Sequence, residues 1–151
     1  MPVPKAEVLE LMRMEVEPAE IDEIRELWKE HSKAEDNRSI EGLLATLSED
    51  CVYTVYPDDV SWHGHEGAAR FYTELLTAFP DIQFELDYIV IGPQGVCEEA
   101  IVTATHEARW LEHEPTGEQL AWRNAIFFPW DATARKFKGE RVYTDMPRRS
   151  A

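Results

Sequence analysis

The segment 119–145, QLAWRNAIFFPWDATARKFKGERVYTD, constrains the fold of this chain more than any other stretch. It reads as two runs of β-branched and aromatic residues joined by a polar turn, and such runs form strands. Because side chains alternate along a strand, Trp122, Asn124, Ile126 and Phe128 share one face, while Arg123, Ala125 and Phe127 share the other. Both faces are therefore partly apolar. The sheet must be covered on both sides, by helices on one face and a partner subunit on the other, or by curving until it closes on a pocket. In the second run Arg141, Tyr143 and Asp145 fall on one face, a guanidinium, a phenol and a carboxylate in a row. That row is the first chemical lead.

Helical patterns precede these strands. Residues 1–17 read as an arm with Pro2 and Pro4, followed by a short apolar stripe of Val8, Leu11 and Met12. Pro18 suits a first helical turn, and Glu17, Glu20, Asp22 and Glu23 suit the positive end of a helix dipole. Ile21, Ile24, Trp28 and His31 then recur at three- and four-residue spacing, predicting a helix to about Asp36. Asn37 or Ser39 caps a shorter helix with Ile40, Leu43, Leu44 and Leu47 on its apolar face. Residues 51–56 read as a strand, and 57–67 as a loop with a short edge strand. A third helix follows over 66–78, with Ala68, Phe71, Tyr72, Leu75 and Phe79 inward. From Ile82 onward the pattern is strands: Phe84, Leu86, Tyr88 and Val90 alternate with acidic residues, and 96–111 returns antiparallel after the turn at Gly92 to Gly95. Helices followed by antiparallel strands make an α+β domain over 18–146, leaving a basic tail at 147–151.

Thirty acidic against fifteen basic residues give a formal net charge of −15. Such a surface repels phosphate backbones and anionic lipid, which argues against nucleic-acid and membrane partners. No apolar run approaches the roughly 20 residues of a membrane span, and the opening residues are too acidic for a signal peptide, so a cytoplasmic location is expected. Cys51 and Cys97 sit in apolar strand contexts and read as buried thiols. His63 and His65 lie one residue apart beside Asp58 and Asp59, yet a metal site needs further ligands in register, so no metal is expected. No glycine-rich phosphate loop, nucleophile elbow or CxxC pair is present, which leaves no basis for a nucleotide cofactor or a covalent Ser or Cys mechanism.

Several words, in their order along the chain, resemble the NTF2-like superfamily and within it the SnoaL-like group of polyketide and ester cyclases. They are SIEGLLATLSEDCVYTV, HGHEGAARFYTELLTAFPDI, TATH with PTGEQL, and GERVYTD, together spanning about residues 18–146. The resemblance implies a cone: three N-terminal helices packed in a strongly curved antiparallel or mixed sheet that encloses a pocket, with dimerisation through the outer face of the sheet. In the enzymes of that group an aspartate near the end of the last strand acts as acid and base on a carbon next to a carbonyl. Asp145 stands at that place. The final turn, read here as Trp130 to Gly139, is longer and more basic than the group's usual glycine turn.

These readings combine into an expectation of a cofactor-free acid/base enzyme acting on a small hydrophobic carbonyl compound, as a cyclase, isomerase or hydrolase. Asp145 would carry the proton, and His106, with Arg123, would polarise or anchor the substrate oxygen. Trp28, His31, Tyr53, Trp62, Phe71, Trp122 and Tyr143 would supply the pocket wall, since ligand pockets are chiefly aromatic with few polar anchors. Two bland readings stand beside this. In one, Asp145 is a plain strand-end ion pair with Arg141 or Arg123; in the other, the domain binds a ligand or dimerises without catalysis. Acidity with five Lys against ten Arg also fits a protein of a salty cell interior.

Overall fold

A computed structural model describes residues 3–147, so the basic tail expected beyond Pro147 lies outside the described residues. Four helices and six strands follow in the order α1 (Ala6–Arg13), α2 (Pro18–Asp36), α3 (Ile40–Leu44), β1 (Leu47–Tyr56), β2 (Val60–His63), α4 (Gly64–Ala78), β3 (Gln83–Gly92), β4 (Gly95–Thr105), β5 (Gln119–Asp131) and β6 (Lys136–Thr144). The strands form one curved sheet, in the order β2-β1-β6-β5-β4-β3, that does not close into a barrel. Its one parallel pair is β1 with β6, so the sheet is mixed. Helices α2 and α4 fill its concave side.

The helices form where periodicity and capping place them. Pro18 opens α2, which buries Ile24, Leu27, His31 and Ala34. The Ser39 hydroxyl accepts the Gly42 N–H and caps α3. That helix ends at Leu44, and Leu47, expected on its apolar face, instead begins β1. The arm carries a helix with no buried residue, held by Gln94 Nε2 donating to the Leu11 carbonyl at 2.9 Å.

Two bulges replace the strict alternation expected for the strands. In β3 the register jumps from Leu86 opposite Ala100 to Tyr88 opposite Glu99, so Asp87 is an extra residue. Phe84 packs on the core before the bulge, and Ile89 and Ile91 do so after it, leaving Tyr88 and Val90 exposed. In β6 five residues, from Phe137 to Arg141, face four of β5, from Trp130 to Phe127. Gly139 sits in that irregular stretch with φ +112°, and the inward phase moves from Phe137 to Glu140 and Val142. The final turn is also shorter than expected: β6 begins at Lys136, and Gly139 belongs to the strand. Its basic character has a partner, because Arg135 donates to Glu20 at 2.9 Å and to Glu23 at 2.7 Å, pinning the turn to α2.

Candidate active site

Between α2, α4 and the concave face lies a cavity walled by Phe71, Tyr72, Leu75, Phe79, Phe84, Trp110, Trp122, Ile126, Val142 and Met146. Each wall strand contributes every second residue, so Trp122, Asn124 and Ile126 of β5 stand beside Glu140, Val142 and Thr144 of β6. The rings pack on one another: Phe79 lies 5.3 Å from Trp122 and 6.3 Å from Trp110, and Phe71 lies 5.8 Å from Trp110. Water-sized molecules can be centred within about 40 Å³ of it, and the empty space between its walls, open mouth included, is about 500 Å³.

The polar end of this cavity is a buried chain of hydrogen bonds. Thr46 Oγ1 donates its one proton to the Leu43 carbonyl at 2.7 Å. His31 Nδ1, 2.7 Å from the same oxygen, must therefore be the donor to it. That fixes which ring nitrogen faces the cluster: Nε2 lies 3.1 Å from Glu140 Oε2 and 3.2 Å from the Tyr72 hydroxyl. Tyr72 donates to Glu140 Oε2 at 2.7 Å, and Tyr53 in turn lies 2.7 Å from Tyr72 and donates to it. With Nδ1 already protonated, the contact between Nε2 and Glu140 needs one further proton, carried by the imidazole or by the carboxyl. His31, Tyr53, Tyr72 and Glu140 are all 3% exposed or less.

Two more carboxyls adjoin this chain. Glu35 stands one turn after His31 on α2 and lines both the aromatic cavity and a smaller one beside it. Burial first, then the negative charge of Glu140, pushes its carboxyl well above the usual range. Glu98 of β4 lies in the smaller cavity with Trp28, where burial and then Glu140 raise it to about 8, against a lowering hydrogen bond from Trp28. The ligand atoms of His31, Glu35 and Glu140 lie within 4.8 Å of one another, the one such group among the described residues with metal-ligand chemistry. Neither His63 nor His65 belongs to it, and His65 instead lies 2.9 Å from the Leu47 carbonyl.

The family model for the SnoaL-like polyketide cyclase matches residues 22–145, more than four-fifths of the chain. The chain belongs to this family. A search of curated proteins returned no match. Among solved structures, AclR, a proposed hydroxylase of Streptomyces galilaeus, is 23% identical with a TM-score of 0.66, over 83% of this chain and 81% of its own. A proposed SnoaL-like polyketide cyclase of Jannaschia sp. CCS1 is 18% identical with a TM-score of 0.69, over 88% and 90%. A protein of Catenulispora acidiphila with a ketosteroid isomerase-like fold, in complex with trimethylamine, is 11% identical with a TM-score of 0.64, over 78% and 84%. These likenesses establish the shared fold.

Within this SnoaL-like fold the residues singled out from sequence separate into three places. Phe71 and Trp122 line the aromatic cavity, and Trp62 stacks on Trp110 at 5.9 Å behind it. His31 and Tyr53 belong to the buried hydrogen-bond chain, and Trp28 to the smaller cavity. Arg123, Tyr143 and Asp145 lie on the outer face of the sheet, around a shallow open depression. Asp145 is exposed, and its Oδ1 accepts the Arg123 backbone N–H at 2.6 Å. The Arg123 guanidinium donates to Asp87 at 2.5 Å and Glu99 at 2.8 Å. Strand alternation is the reason: Val142, Thr144 and Met146 take the inner positions, so Arg141, Tyr143 and Asp145 must take the outer ones.

His106 lies just past the end of β4, not within a strand that runs to Leu111. Its ring packs 4.8 Å from Phe79, on the far side of the cavity wall, and lines a separate surface cavity with Glu112 and His113. The structure thus does not bring His106 and Asp145 into one site. Glu35, Tyr72 and Glu140 are the groups that sequence reasoning did not select. Glu140 shares the phase of Val142, which was a legible signal, and Glu35 shares a helix face with His31.

Proposed function

We propose that this protein is an acid/base enzyme of SnoaL-like type, working without a bound cofactor on a small, mostly apolar carbonyl compound held in the aromatic cavity. The observation that carries this reading is Glu35, a carboxyl at the inner end of an aromatic cavity, beside Glu140. Burial and the neighbouring charge favour the protonated form of Glu35, so it can give its proton to a carbonyl oxygen. The carboxylate so formed can take a proton from the adjacent carbon, and the enol collapses in a new position. Tyr72 and His31 position Glu140, whose charge keeps the Glu35 proton in place. Asp145 has no part in this scheme, because it faces away from the cavity.

The test is exchange of the proton next to the carbonyl for deuterium in small aromatic ketones, followed by NMR. Glu35→Gln should cut the exchange rate by about a hundredfold or more while the fold is retained. Exchange that persists in Glu35→Gln and disappears in Asp145→Asn would return the role to Asp145. A second reading, a ligand-binding domain without turnover, uses the same aromatic cavity. In that case a ligand would bind with no exchange in either protein. We further place a second copy of the chain on the outer face of the sheet, where Tyr88, Val90, Phe127 and Tyr143 are exposed.

A further inference from the structure

We propose that the aromatic cavity selects substrates carrying a basic nitrogen, bound as an ammonium that takes the place of the proton on Glu35 and pairs with the carboxylate so left. This rests on the reading of that cavity as the substrate site. Among the described residues that line it, the charged ones are Glu35 and Glu140, and none is Lys, Arg or His. A carboxylate or phosphate on the ligand would be desolvated there beside two acids, with no cation opposite it.

A positive group meets the reverse situation. Glu35 and Glu140 lie against the single imidazole of His31, with Glu98 in the adjoining cavity, and protons held on Glu35 and Glu98 stand where a cation would otherwise offset the acids. Arg38, the one guanidinium that acts on Glu35, spends a donor on the Ile82 carbonyl. An ammonium N–H donating to Glu35, or a quaternary nitrogen resting against it, supplies that charge. The remaining wall suits the same ligand. Phe71, Phe79, Trp110 and Trp122 form a continuous ring-to-ring surface, and aromatic rings attract cations most strongly where water is excluded. The net charge of −15 also concentrates cations near the surface. Anionic substrates are excluded by the same residues that would hold an amine.

The probes are choline and 3,3-dimethylbutan-1-ol, which share a shape and differ in charge, titrated calorimetrically into the full chain. Salt at 0.15 M or above should screen non-specific attraction to the acidic surface. Choline is expected to bind at least tenfold more tightly than the alcohol. Glu35→Gln should abolish that difference with an unchanged circular dichroism spectrum. Trp110→Leu, which leaves the carboxyls in place, should weaken choline severalfold more than the alcohol. No choline binding, equal binding of the two probes, or a preference that survives Glu35→Gln overturns the proposal. Deuterium exchange separates the two ideas: exchange lost in Glu35→Gln without any choline preference leaves the acid/base reading standing alone. Choline preference without exchange does the opposite.

Discussion

Gly139 meets Val52 so closely that a β-carbon on the glycine would lie 2.0 Å from the Val52 carbonyl oxygen. The two residues are paired between β6 and β1, and the glycine adopts φ +112°, which side chains other than glycine's resist. This contact lies where the phase of β6 shifts and Glu140 turns inward. Gly139→Ala should therefore destabilise the protein by on the order of 3 kcal/mol or more. Urea unfolding midpoints check this.

Tyr72 and Tyr53 should differ in cost although each loses one hydroxyl. Tyr72→Phe takes one donor from the buried Glu140 oxygen and strips the buried Tyr53 hydroxyl of its acceptor, and should cost about 1–3 kcal/mol. In Tyr53→Phe the Tyr72 hydroxyl still donates to Glu140, and about 0.5–1.5 kcal/mol is expected. Equal losses in denaturant titrations of the two variants would contradict the direction assigned to this chain of bonds.

Glu98 should make the protein less stable as pH rises. Its carboxyl is raised to about 8 in the folded state from an ordinary value of 4.5, so between those pH values the folded protein holds more protons than the unfolded chain. The stability linked to this proton is fully present below about pH 4.5 and is lost as pH climbs through about 8. Glu98→Gln should flatten this slope and gain on the order of a few kcal/mol relative to the wild type at pH 8. Thermal unfolding of both proteins from pH 5 to 9 measures it.

Asp145→Asn and Glu35→Gln should part company in turnover. The exposed Asp145 should change with little effect on activity, within a few-fold, while Glu35→Gln removes the proton carrier of the proposed scheme. Rates of both variants on one ketone substrate decide the matter. An Asp145→Asn enzyme that keeps its fold and is a hundredfold slower would sink the assignment.

Much of the architecture was legible because it rests on local periodicity. The stripe of α2, the cap of α3, the apolar face of α4 and the inward row Trp122, Asn124, Ile126 and Phe128 follow from spacing alone. The site was less legible. Alternation in β6 offers two rows, Arg141 with Tyr143 and Asp145, or Glu140 with Val142 and Thr144, and both contain a carboxylate. Val142 favours the second row, but a glutamate in a core position runs against ordinary burial preference.

By itself the sequence determined the order of elements, the curved α+β architecture of the SnoaL-like family and the aromatic character of the interior. Those properties depend on residues near one another in the chain. Only the tertiary structure brought Glu35 and Glu140 together with His31 and Tyr72, and set Asp145 and His106 apart from them. Glu140 reaches His31 across 109 positions and Tyr72 across 68. Such contacts depend on the register of β6 against β1, where Gly139 pairs with Val52 after an irregular stretch between Leu47 and Val52, and this close backbone approach is not written as a side-chain pattern.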